Sequence, residues 1–210
     1  MTSSATTRPA PKGPGPAWEI ARLFPDQGAW SEDDYLALHT NHLVEFTDGH
    51  VEVLPMPTTS HQSIVQYLSN FLLTFVAARG LGKVLFAPLR VRLRKNKFRE
   101  PDVVFMSAAH ADRIGERFWR GADLVMEVVS GEPEDRQRDL VAKRNEYAEA
   151  GISEYWIVDP QEQRISVLRL QGKRYVLHGE WTRGQDATSH LLDGFKASVA
   201  SVFDSGANLR

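Results

Sequence analysis

Two short apolar runs, Val103–Met106 and Leu124–Val129, constrain the fold of this chain more than any other feature. A strand with one wet face alternates apolar and polar residues. These runs do not alternate, and read as strands covered on both sides. The chain must then supply helices to cover them, and two segments qualify. From Ser60 to Arg79, Ile64, Val65, Leu68, Phe71, Leu72, Phe75 and Val76 recur at three- and four-residue steps, the period of an amphipathic helix. Thr59 with Gln62 reads as its capping box and Gly80 as its stop. Asp135 to Ala150 reads as a second helix, ended by Gly151 and running into a strand at Glu154–Asp159 that Pro160 closes. Helix, strands, helix, strand predicts a mixed sheet with helices packed against it, an α/β or α+β chain.

The remaining segments fit around that core. Residues 1–16 hold four of the 11 prolines and no large apolar side chain, so they read as a flexible tail before one domain over 17–210. Order can begin near Trp18 or at the helix start Ser31-Glu32-Asp33-Asp34, which feeds Tyr35, Leu36 and Leu38. Leu43–Phe46 and His50–Leu54 flank Thr47-Asp48-Gly49, a hairpin signature. Residues 83–94 are strand-like, and 164–170 and 174–178 read as antiparallel additions at a sheet edge. The 210 residues include no cysteine, which excludes disulfides, thiolate metal sites and cysteine nucleophiles. With 25 basic and 27 acidic residues the formal charge is −2, so the chain as a whole is no sequence-blind nucleic-acid binder. No apolar run approaches the ~20 residues that span a bilayer, and no secretory signal is visible, so a cytoplasmic protein without a membrane partner is expected.

Asp102 and Glu127 stand in strands that otherwise read as core. An ionised carboxylate there costs several kcal/mol unless cations or strong hydrogen bonds compensate it. Adjacent strands can bring both to one place, where their hard oxygens suit a divalent metal. Alternatively each sits at a strand end, solvated or paired with arginine. Lys143 lies three residues after Leu140 and four before Tyr147, on the inward side of the second helix. It can pair with Asp139 on the helix surface, or aim its ammonium at the carboxylates, where it would orient a water and offset charge on a phosphate. Two carboxylates, a metal and a lysine suit phosphodiester hydrolysis.

The ordered set Arg99-Glu100-Pro101-Asp102-Val103-Val104-Phe105, Asp123 to Ser130, Lys143 with Tyr147, and Gly151 to Pro160, together with Glu45-Phe46-Thr47-Asp48-Gly49 and His61, resembles the Uma2 family. That family is a restriction-endonuclease-like branch of the PD-(D/E)xK nuclease superfamily, and the resemblance covers about residues 42–203. It implies a restriction-endonuclease-like core of helix, three mostly antiparallel strands, helix and a further strand, with an extra N-terminal hairpin and C-terminal antiparallel strands. It implies a Mg2+- or Mn2+-dependent endonuclease acting on DNA. Asp102 and Glu127 would be its metal ligands, with the Val128 carbonyl, and Lys143 its lysine. The lysine usual two residues beyond the second acid is absent, since Val129 stands there, and Lys143 would replace it from the helix. Ala122 and Gly131 depart from common family prolines.

The resemblance also draws in His61, as a proton carrier or hydrogen-bond donor, and Glu45, as an extra metal-site acid. His61 can equally be bonded to a loop carbonyl. Arg90, Arg92, Arg94, Lys95, Lys97 and Arg99 crowd ten residues before Asp102, and are either a phosphate-binding face or a solvated edge that prevents aggregation. In the loop 107–120, Arg113, Arg117, Trp119 and Arg120 can stack on and bind nucleic acid, or Trp119 can anchor the loop. A homodimer is expected of an enzyme that cuts both strands. The alternatives to the nuclease are a non-catalytic nucleic-acid-binding or transposon-associated module of the same fold, and a hydrolase of another phosphoester.

Overall fold

The computed structural model describes residues 24–40, 42–130 and 138–207, without the side chains of Arg138 and Asp139. The expected tail, Trp18, Gly131 and the start of the second helix at Asp135 lie outside the described residues.

Helix α1 (Glu32–Ala37) begins where the acidic run predicts: Ser31 caps it and Asp34 returns the bond to the Ser31 N–H. Strands β1 (Val44–Thr47) and β2 (His50–Val53) form the expected hairpin, with Asp48 and Gly49 at positive φ. Only glycine fits at 49, because a Cβ there would lie 2.5 Å from the Gly28 carbonyl oxygen. Helix α2 (Thr59–Arg79) is capped by Thr58, one residue earlier than the Thr59–Gln62 spacing suggests. Its hydroxyl accepts the His61 N–H and its carbonyl the Gln62 N–H, so Thr59 is the first helical residue. Gly80 ends α2 in the left-handed region, as expected.

The strand-like stretch 83–94 is two strands in two sheets. β3 (Gly82–Phe86) stops before Pro88, which has no N–H to continue a ladder, and β4 (Val91–Arg94) starts elsewhere. β5 (Lys97–Arg99), β6 (Val103–Ser107), a 3-10 segment (Ala108–Arg113), β7 (Trp119–Arg120) and β8 (Leu124–Val128) follow. Arg138–Ala142 forms a π-helical turn that leads into α3 (Lys143–Glu149). Beyond it come β9 (Glu154–Asp159), β10 (Arg164–Gln171), β11 (Arg174–Thr182), β12 (Asp186–Thr188), β13 (Lys196–Ser198) and α4 (Val199–Ser205). α4 is a helix beyond those expected from the sequence, with Val199, Val202 and Phe203 buried at helical spacing.

The main sheet runs β11-β10-β9-β8-β6-β3 and the second β2-β1-β5-β4-β7. β3, β6 and β8 pair antiparallel, whereas β8 and β9 pair parallel, which the α3 crossover permits. β6 and β8 are buried throughout except Ser107, as apolar runs without alternation require. One face of the main sheet, with Val103, Phe105, Leu124 and Met126, packs on α2 and α4. The other, with Val104, Val125 and Tyr155, packs on α3 and on Val91 and Trp119 of the second sheet. This is the expected mixed sheet flanked by helices, with the N-terminal hairpin in the second sheet and β10–β11 added antiparallel at one edge.

Glu154 at the start of β9 is fully buried and fastens the β12–β13 hairpin to this sheet. It accepts bonds from the His190 and Leu191 N–H groups, the Ser189 hydroxyl and the Trp156 indole. Glu154→Ala leaves these donors without their acceptor, and its expected cost is about 3–5 kcal/mol, read from urea unfolding. Glu162→Ala, on an exposed turn, is expected to shift the midpoint by less than about 0.5 kcal/mol.

Candidate functional site

Val103 of β6 faces Met126 of β8, and continuing this register by one residue sets Asp102 opposite Glu127. Directly opposed residues send their side chains to the same face, here the α3 side with Val104 and Val125. Asp102 lies just before β6, and its Oδ2 accepts the Val128 N–H at 2.8 Å. Glu127 meets Lys143, the first residue of α3, whose Nζ lies 2.9 Å from Oε2. One turn on, the Tyr147 hydroxyl donates to Glu127 Oε1 at 2.5 Å. Burial, then the Glu127 charge, pushes the Tyr147 pKa well up, so this hydroxyl keeps its proton and remains the donor.

Glu45 of β1 enters from the second sheet and is 1% exposed. Among the described residues neither of its oxygens has a hydrogen-bond partner, but Lys143 Nζ is 3.8 Å from Oε1 and Arg99 Nε 3.3 Å from Oε2. Arg99 also forks onto Glu146 of α3 at 2.8 and 2.9 Å, and Lys97 reaches the same carboxylate at 2.7 Å. A chain of alternating charge thus links α3 to both sheets.

His61 comes from the first turn of α2. Its Nε2 lies 3.1 Å from the Val128 carbonyl oxygen and 3.3 Å from Asp102 Oδ2. Two acceptors at one nitrogen put a proton on it. Burial works most strongly against the charged ring, but the bond to Asp102, the charges of Asp102 and Glu127 and the Val128 carbonyl together outweigh it, and the pKa is raised. Glu100 accepts the Val44 N–H and lies 3.8 Å from Arg90 Nε, and burial pushes its pKa up to about 7. Asp102, Glu127, Val128, Lys143, His61 and Glu100 share one wall of a cavity of about 490 Å³.

The chemistry of this donor set fits a hard cation. Two carboxylates and a main-chain carbonyl are hard oxygen donors of the kind such a cation takes. Among the described residues no group of three or more histidine, cysteine, aspartate or glutamate side chains forms a metal cage. A cation here would be held by one or two carboxylates and keep waters, which is how magnesium is commonly bound.

The basic run sits apart from the cavity wall. Arg90 donates to the Leu36 and Leu38 carbonyls, Arg92 pairs with Glu32, and Arg94 with Asp48. Lys97 and Arg99 pair with Glu146, and none of the five lines the cavity. In the loop 107–120, Trp119 is 1% exposed and packs into the core, so it anchors the loop. Arg117 is exposed, and Arg120 bonds the Asp112 carbonyl. Sequence reasoning assigned no role to Tyr147, Glu146 or Glu100. Tyr147 and Glu146 do fall at the helical spacings i+4 and i+3 from Lys143, and Glu100 adjoins Pro101-Asp102.

The chain superposes with a TM-score of 0.68 on the crystal structure of "a putative nuclease belonging to DUF820" from Anabaena variabilis, at 20% identity over 85% of this chain and 99% of that one. At that identity the likeness is one of fold. The family model Uma2, described as "Putative restriction endonuclease", matches residues 32–200, and the chain belongs to that family. A search of the curated proteins found no match.

The two kinds of arginine in the basic run should separate on truncation. Arg99→Ala takes one cation from the buried carboxylate of Glu45 and breaks the fork onto the half-buried Glu146, and the expected loss is about 3–5 kcal/mol in denaturant unfolding. Arg94 and Asp48 are each about half exposed, and Arg94→Ala is expected to cost no more than about 1 kcal/mol.

Proposed function

We propose that the protein is a divalent-metal-dependent endonuclease that hydrolyses DNA phosphodiester bonds at the Asp102–Glu127–Lys143 cluster. One observation carries the reading: a buried lysine from a helix meets one of two carboxylates set opposite each other at the ends of adjacent strands, on the wall of an open cavity. A core held only for stability gains little from burying such charges, because hydrophobic replacements are often as stable.

Mg2+ or Mn2+ would be held by Asp102, Glu127 and the Val128 carbonyl, and would polarise the scissile phosphoryl group as a Lewis acid. The chain's own residues do the rest. The Lys143 ammonium, steered by Glu127 and Glu45, orients the attacking water and offsets charge that grows on the phosphate in the transition state. Tyr147 holds the Glu127 carboxylate so that Oε2 turns to the lysine. The protonated His61 Nε2 fixes the Asp102 carboxylate and offers a donor to a departing oxygen. Glu45, 3.8 Å from Lys143, acts here by positioning the ammonium. Of the expected phosphate contacts, Arg90, Arg92, Arg94, Lys97 and Arg99 are paired within the fold, and the exposed Arg117 stays a candidate for a contact to DNA beyond the cavity.

The test pairs calorimetric titration of Mn2+ and Mg2+ with cleavage of plasmid, linear duplex and single-stranded DNA. Wild type is expected to bind metal and cut, with cutting abolished by EDTA. Asp102→Ala should lose the metal-binding heat. Asp102→Ala and Lys143→Ala should each lower the cleavage rate by about 100-fold or more while DNA binding persists. No metal binding at millimolar concentration, with metal-independent DNA binding, would leave a nuclease fold kept for binding.

A further inference from the structure

The lining of the cavity that holds the carboxylate cluster is not all polar. Leu43, just before β1, and Leu54, Pro55, Met56 and Pro57, between β2 and α2, line it with apolar groups, and Pro160 after β9 adds another. Met56 is 72% exposed, the most exposed large apolar side chain among the described residues, and Val53 beside this loop follows at 61%. Packing does not account for them, and clustered apolar exposure beside a polar site marks a surface that takes a ligand. The apolar lining is also stiff. Two prolines fix φ at alternate positions of the loop, and the Leu54 N–H bonds the Leu43 carbonyl at 2.9 Å, tying the loop's start to the hairpin. A surface ordered before binding loses little entropy when it binds.

Depth and charge narrow the ligand. Asp102 and Glu127 are only 8% and 3% exposed, so a scissile phosphate must enter the recess to reach them. The nucleotide beside that phosphate then lies against the apolar lining. A paired, stacked base has no free face to offer, whereas an unpaired base does. Long-range attraction to phosphates is weak here, since the nearby arginines and Lys97 are already engaged within the fold. Contact with a base face must therefore supply much of the affinity, and Met56, flexible and polarisable, suits that role. A cavity of about 490 Å³ is within the range of small-ligand sites and has room for a nucleotide.

We propose that Leu43, Leu54, Met56 and Pro57 form a seat for the face of an unpaired base next to the scissile phosphate, so that the enzyme's preferred DNA is single-stranded or locally unpaired. This rests on the nuclease reading of the same cavity. It adds a substrate class to that reading.

The experiment uses one DNA sequence in four forms: full duplex, duplex with a central unpaired bubble, single strand, and single strand with a run of abasic sites. Each is cleaved by the full chain with Mn2+, and each single strand carries 2-aminopurine so that base seating is read by fluorescence even without cleavage. The bubble and the single strand are expected to be cut at least tenfold faster than the duplex, with cuts confined to unpaired nucleotides. For Met56→Ser, an exposed substitution that spares the core, the ratio of rates on base-bearing and abasic single strands should fall about tenfold. Its 2-aminopurine change should shrink in parallel. Equal cutting of duplex and bubble, or a base-bearing to abasic ratio that Met56→Ser leaves unchanged, overturns the base seat while Asp102-dependent cutting keeps the nuclease. With no cutting of any form, the nuclease reading fails. The seat then survives only if the single strand changes 2-aminopurine emission more than the duplex does, by a Met56-dependent amount, and equal changes overturn it too.

Discussion

The buried ammonium of Lys143 is the constraint on which the site and much of the fold depend. It is 3% exposed, lies 2.9 Å from Glu127 and 3.8 Å from Glu45, and so joins α3 to β8 of the main sheet and to β1 of the second. Desolvating three such charges costs several kcal/mol per ion, and their attraction repays it only when geometry is held closely. Tyr147 and Arg99 hold it: the hydroxyl takes the other oxygen of Glu127, and the guanidinium takes the other oxygen of Glu45. Because Arg99 also grips Glu146 on α3, the helix is fastened to the second sheet one turn along from the lysine. Packing of the helix and orientation of the ammonium are the same event.

That network explains the fate of the basic run. On paper, six cations within ten residues suggest a strong positive face. In the fold, carboxylates distant in sequence meet them: Glu32 from α1, Asp48 from the hairpin turn, and Glu45 and Glu146 from strand and helix. The pairing joins the second sheet to its surroundings and leaves the field outside weak, which agrees with a formal charge of −2. A local cluster of like charge reports a binding face only when its counter-charges are not folded against it, and those named here lie 46 to 60 residues away in the chain.

Much of the architecture was legible because its signals are local. The α2 period, the Asp-Gly hairpin, the Ser31 cap and the unalternating runs 103–106 and 124–129 each follow from rules of a few residues, and each element is where those rules put it. What escaped is non-local. Residues 83–94 read as one strand, but the break at Pro88 sends the halves to different sheets, and only the partners β6 and β5 decide which. The α4 helix is only about two turns long, and its register with α2 is tertiary. At the candidate site, Asp102, Glu127 and Lys143 stood out because charge in an apolar context is conspicuous. Tyr147, Glu146 and Glu100 are ordinary residues in an amphipathic helix and a loop, and only the folded neighbours reveal that each completes a charged partner.

Val129 shows why the lysine can stand on the helix. Glu127 and Val129 alternate to the same side of β8, so a lysine at 129 would point under α3, where Val129 is now 3% exposed and packs with Val125, Tyr147 and Ile157. Lys143 descends from α3 onto Glu127 while Val129 fills the core, so the ammonium approaches the carboxylate from the helix side of the sheet. That arrangement ties the site to helix docking. A strand lysine would keep its place as long as the sheet persists, whereas Lys143 keeps its place only while α3 is seated, directly after the π-helical turn Arg138–Ala142. Tyr147, Glu146 and Arg99 fasten the next turn of the same helix, so the residues that orient the ammonium also hold down the element that carries it.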